Sequence, residues 1–325
     1  MSVETSVVRQ RDDAERRFLE TALGKNFFPT SSGYMECVAA NGRHLGNGGD
    51  PFKALAAFRR MPAKARAPGA VKVADLVADP TVAPPVPPAG GLVLKVHARL
   101  LRRNEDGSLG HCTTGDFPLM AKERARRKKA LRSFLEASPD FVWLTEQDKK
   151  QLIPASPKVG MTIAAPRAVV VRICRFHLTP RRVYSEGHEW SDGDVHEAEL
   201  KFVVEVVNDK LIRMRAEGAA HMGSTFDASE ATTPNGPLML GYAPEFSGTI
   251  EYDRIARRFT RFDLVALGDG WGRMGDANNR SWFLERPGRH PVGFALELVN
   301  PSDPANRIVP MGRASKLRGL RYLGR

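Results

Sequence analysis

The chain has 325 residues, a length that sets roughly two domains as the starting expectation. No apolar run approaches the ~18 residues of a membrane span, and the opening MSVETSVVRQRDDAERR has no apolar signal core, so the reading is a cytoplasmic chain without a membrane span. The net charge of +12 is concentrated in KERARRKKALR (122–132) and RASKLRGLRYLGR (313–325), which leaves the remainder close to neutral.

In chain order, RDDAERRFLETAL places Phe18, Leu19, Ala22 and Leu23 at helical spacing. GYMECVAANGRHLG reads as strand, Asn41-Gly42 turn, strand. Asp50 and Pro51 then suit the N-cap and first position of a helix, DPFKALAAFRRM. Together these predict a small αββα segment over 1–69. DPTVAPPVPPAGG follows, and its prolines fix φ and remove backbone donors, so 70–91 is predicted to be a linker.

Beyond the linker, 92–312 reads as a β-rich domain. LVLKVHARL alternates apolar and polar residues, the period of a half-buried strand. Residues 118–137 read as a basic helix, and LTEQDKKQLI as a short helix capped by Thr145. AVVVRICRFHL, apolar on both faces, is expected to be a central strand. HEAELKFVVEVV and KLIRMRAEGAAHM flank Asn208-Asp209 as a hairpin, and EFSGTIEYD and RRFTRFDLVALG form another. HPVGFALELV is a last strand, and 313–325 is a basic tail. The fold class expected is α+β, a curved antiparallel sheet or partly closed barrel with one or two helices.

The stretches QRDDAERRF, GYMECVAANGRHLG, FRRMP with PGAVKV, FTRFDLVALGDGWG and RPGRHPVGFALELV resemble an uncharacterised bacterial family. Its members join a thioredoxin-like N-terminal segment to a β-rich domain of unknown role. The resemblance implies that 33–61 is the closing half of a thioredoxin fold. The CxxC of that fold has no counterpart here, so no residue inherits a redox role. Its opening half is also unmatched, which fits either a truncation or a start upstream of Met1.

Three widely spaced cysteines, Cys37, Cys112 and Cys174, form no CxxC and suggest buried thiols rather than a disulfide framework. The densest polar stretch is GHEWSDGDVHEAELKF, with His188, Asp192, Asp194 and His196. As a calcium loop it lacks the glycine and the distal glutamate, and as a zincin it lacks the second histidine. The plainer reading is a turn at Asp192–Asp194, with His196 on the same strand face as Ala198, Leu200, Phe202 and Val204. The alternative functions are a metal-dependent hydrolase built on these four residues, or a thiol-redox-associated protein that has lost its CxxC.

GDGWGRMGD contains a GxGxxG at Gly270, Gly272 and Gly275, but DANNRSWF is a poor helix start for a dinucleotide site. A loop over 268–290 is expected instead, carrying Trp271, Arg273, Arg280, Trp282, Arg286 and Arg289, a composition suited to binding. His177 and His221 are further acid–base candidates, and His111-Cys112 is an adjacent pair that needs spatial apposition to act. With no GxSxG and no GxxxxGK[ST], no cofactor is expected. The function expected is a non-enzymatic β module that binds a small molecule or protein through the 268–290 loop. Weak, non-specific nucleic-acid contact through 122–132 and 313–325 is a secondary expectation.

Overall fold

A computed structural model of the chain describes residues 17, 20–21, 23, 36–39, 41–47, 51–66, 85–117, 135, 138–180, 189–228, 240–272, 288–312 and 322–323. The chain divides into two compact units, Met1–Ala83 and Pro84–Arg325. The division falls inside the stretch expected to be a linker, most of which lies outside the described residues.

In the first unit, Arg17, Glu20, Thr21 and Leu23 are helical. Strand β1 (Glu36–Val38) pairs antiparallel with β2 (His44–Asn47). The turn forms where Asn41-Gly42 predicts it. Gly42 has φ +82°, a left-handed conformation that costs glycine no Cβ clash. The Arg43 N–H donates to Asn41 Oδ1 at 3.1 Å. Helix α1 (Pro51–Arg59) starts on its proline, whose missing N–H would have had no intrahelical partner, and it packs on β2. A short α2 (Ala63–Arg66) follows. Val38, Ala39, Ala54 and Met61 are buried.

The second unit is built on a nine-stranded sheet. Its strands are β3 (Leu92–Arg103), β4 (Leu109–His111), β5 (Ser138–Leu144), β6 (Thr162–Ala164), β7 (Val195–Val207), β8 (Leu211–Gly223), β9 (Leu240–Asp253), β10 (Arg258–Gly272) and β11 (Arg289–Leu298). The order is β4-β3-β11-β10-β9-β8-β7-β6, with β5 paired to β3, and every pairing is antiparallel. The order runs from β4 and β5 at one edge to β6 at the other, so the sheet is open and is not a closed barrel. Two hairpins, β7–β8 and β9–β10, stand where they were expected. In the first, Asn208 Oδ1 accepts from the Lys210 and Leu211 N–H groups at 2.9 Å each.

The strand alternation works as the sequence predicts. Ile212, Met214, Ala216, Phe246, Ile250, Phe262, Leu264, Ala266, Phe294 and Leu296 turn to one buried face. Each fully buried Ile, Leu, Met or Phe among them contributes ~1.5–3 kcal/mol. Gly218, Gly248 and Gly268 also lie on that face. A Cβ at these positions would press into the carbonyl oxygens of Glu199, Asp263 and Ala243 on the neighbouring strands. Such close backbone approach lets the strands bend over the core.

Three expectations need correction. Residues 167–177 are not a central strand but helix α4 (Arg167–His177), which lies on the buried sheet face and contacts β7, β8 and β5. Its buried residues Val169, Val170, Ile173, Cys174 and His177 have a helical period. The β-branched run lowers helix propensity only slightly, and packing in the bend of the sheet outweighs it. Next, β5 and the short β4 and β6 add strands that the composition did not announce. Finally, β10 continues to Gly272 and β11 begins at Arg289, so the ends of the expected 268–290 loop are strand. The short helix α3 (Glu146–Gln151) has its N-cap at Thr145 as expected. The basic 118–137 stretch lies outside the described residues except for Leu135, which is helical. Among the described residues no helix is long and apolar enough to cross a membrane.

Candidate functional site

The outer face of the sheet, opposite α4, is polar over most of its area. Its charges are paired across strands: Lys201 with Glu217, Arg213 with Glu251, and Arg215 with both Glu205 and Glu217. At one end this pattern gives way to rings. Trp271, near the end of β10, is opposite Gly241 of β9 and Arg289 of β11. Gly241 is required there, because a Cβ would run into the indole ring and the Ser224 carbonyl. The indole lies over the gap and donates its N–H to the Ser224 carbonyl at 3.0 Å.

Around Trp271 the rings are contiguous. His221 of β8 is 6.0 Å away between centroids, Phe226 is 6.1 Å away, and His196 of β7 lies 5.3 Å beyond His221. The Arg289 guanidinium sits over the Trp271 ring at 5.3 Å and over Phe226 at 5.8 Å, both within cation–π range. Asp269 joins the group from the same face of β10. Arg103 donates to it at 2.8 Å, and the Arg289 Nε is 3.5 Å from its second oxygen.

Two of the six expected loop residues, Trp271 and Arg289, therefore meet, but on strands. Trp271 is only 4% exposed, so it forms the floor of this strip, while Arg289 is exposed above it. Arg273, Arg280, Trp282 and Arg286 lie outside the described residues. So does Gly275, while Gly270 and Gly272 are part of strand β10 rather than a turn into a helix. Sequence reading did not connect His221, Phe226 or Arg103 with this strip. Only their register across the sheet brings them there.

The expected histidine–aspartate cluster is dispersed. Asp192 is ion-paired with Arg175, and Asp194 accepts the Ser191 N–H at 2.9 Å, closing a short turn. His196 does not share the core face with Ala198 and Leu200, as was expected. A bulge between Val195 and Glu197 adds one residue and turns His196 outward. His188 lies outside the described residues. Among the described residues no group of three or more His, Cys, Asp and Glu side chains is placed to hold a metal ion.

A second polar group is buried. His177, 0% exposed at the end of α4, has Nδ1 bonded to the Asp140 carboxylate and Nε2 2.6 Å from the Tyr322 hydroxyl. The Met311 N–H donates to Asp140 at 2.7 Å, and the Trp143 N–H donates to the Tyr322 hydroxyl at 3.2 Å. The order carboxylate, imidazole, hydroxyl is that of an activated nucleophile. Here all three side chains are interior, and they tie β5, α4 and the C-terminal segment together. His177 and His221 do not form a pair, since one is in the core and the other on the outer face. His111 bonds Arg99 at 2.9 Å, and Cys112 is buried. Burial also pushes the Cys174 thiol up to about 12, so it stays protonated at neutral pH. Residues 122–132 lie outside the described residues, and of 313–325 only Tyr322 and Leu323 are described.

Compared with known proteins, the chain matches no family model, no curated protein sequence and no solved structure.

Proposed function

We propose that Pro84–Arg325 is a non-enzymatic binding module whose ligand or partner meets the outer sheet face at the Trp271–Arg289 strip. The observation that carries this reading is Arg289, exposed directly opposite Trp271 and held over two aromatic rings. A guanidinium fixed on a ring platform loses little freedom on binding and offers paired donors to a carboxylate or phosphate. The ligand class is therefore an acidic small molecule or an acidic protein segment. Arg273, Arg280 and Arg286, in the chain between β10 and β11, belong to the same reading. For Met1–Ala83 the thioredoxin-like segment remains a proposal, supported by the β1–β2 hairpin followed by α1.

The test is a thermal-shift screen of carboxylated and phosphorylated small molecules and acidic peptides. Binding to the folded state raises the melting temperature by mass action. A hit should stabilise the native chain and lose that effect in Arg289→Ala and Arg286→Ala, but keep it in Arg213→Ala on the same face. A ligand that stabilises all four chains equally would place binding elsewhere.

A further inference from the structure

We propose that His196 and His221 form a two-imidazole site for a borderline divalent transition ion such as Cu²⁺. The first support is the bulge in β7. The extra residue between Val195 and Glu197 takes His196 out of the core-facing alternation and sets its ring 5.3 Å, centre to centre, from that of His221 on β8. Bulges recur where a side chain must be re-aimed, and without this one His196 would sit on the opposite face.

The second support is the tautomer. His196 Nε2 is 2.7 Å from the Gly223 carbonyl oxygen. A carbonyl only accepts, so Nε2 carries the proton and Nδ1 holds the lone pair. A backbone carbonyl on the far nitrogen is the usual second partner of a metal-binding histidine, because it fixes the ring and raises ligand basicity. His221 is half-buried, and neither of its ring nitrogens is hydrogen-bonded among the described residues.

The spacing also fits. An ion about 2.0–2.1 Å from one nitrogen of each ring, at a tetrahedral angle, leaves the ring centres roughly 5 Å apart. Neutral imidazoles suit copper, nickel and zinc, with Cu²⁺ the tightest of the divalent series. Two protein nitrogens leave further positions open to water or a small ligand. This inference uses neither Arg289 nor the 273–287 segment, and does not rest on the binding reading above.

The experiment titrates Cu²⁺ into the full chain and follows tryptophan fluorescence and the electron paramagnetic resonance spectrum. One ion per chain is expected, with two-nitrogen coupling and quenching, because His221 lies 6.0 Å from the Trp271 ring. His196→Ala and His221→Ala should each weaken binding by at least about tenfold, while His97→Ala binds as the native chain does. Both histidines face away from the core, and circular dichroism checks that the variants fold. Undiminished binding in the His196→Ala, His221→Ala double variant, or no stoichiometric binding to the native chain, overturns the proposal.

Discussion

Asp148 shows what a single side chain can contribute here. Its carboxylate accepts the Thr145 N–H at 2.8 Å, its own N–H donates to Thr145 Oγ1 at 3.1 Å, and Arg172 reaches it at 2.6 Å. Burial pushes this carboxyl up, but hydrogen bonds from Arg172 and Thr145 and the Arg172 charge outweigh it and hold it below the ordinary carboxylate range. The folded value is thus lower than the unfolded one. The stabilisation is complete above the unfolded carboxylate range and is lost as pH falls through the folded value. Asp148→Asn should lower stability at neutral pH by about 3 kcal/mol and make the fall from neutral pH to about pH 3 shallower. Urea denaturation at the two pH values measures both, and an equally steep fall in the variant would remove Asp148 from the acid response. Thr145 was legible as a cap because a cap needs only its own first turn. Arg172 was not, because its distance from Asp148 depends on α4 being a helix.

Among the strands, close backbone approach rather than side-chain preference calls for glycine at three positions of the core face. Gly268 is opposite Pro244, and the space its Cβ would need is taken by the Ala243 carbonyl. Gly268→Ala should therefore destabilise the second unit by about 1–3 kcal/mol through backbone displacement. Ser247→Ala, on the exposed side of β9, should be near neutral. Thermal or chemical unfolding of the two variants compares them, and an equal effect would show that the close approach at Gly268 is easily relieved. The hairpins around Asn208 and at 254–257 were readable because turn chemistry and period-two alternation are local. Helix α4 was not readable, because an apolar run of this length satisfies a buried helix and a buried strand alike. The bulge at His196 was hidden for a related reason. A one-residue slip leaves composition unchanged and reverses only the face.

In the folded second unit, Tyr322 near the end of the chain belongs to the interior. Tyr322 packs with Val93, Phe141, Trp143, Phe176 and Met311 in a cluster on the side of β3 and β5 away from the main core. Its hydroxyl meets both His177 and the Trp143 N–H. Tyr322→Phe should cost about 1–3 kcal/mol, since buried polar groups then lose the hydroxyl they bond. A melting temperature equal to that of the native chain would mean the hydroxyl anchors nothing. The composition of 313–325 reads as a basic tail, and within it Tyr322 is buried and bonds a histidine 145 positions earlier in the chain.

The amino-acid sequence determined the local elements: the hairpins, the capped helix α3, the Asn-Gly turn and the apolar face of most strands. These depend on φ/ψ preferences and short-range periodicity, which act over a few residues. Tertiary structure alone decided that 167–177 is a helix, that the sheet stays open, and that His196 meets His221 while Asp192 and Asp194 go elsewhere. Each of those outcomes is set by packing between residues distant in the chain. The energies of such contacts rival local propensity, and their partners are chosen only when the register of the whole sheet is in place.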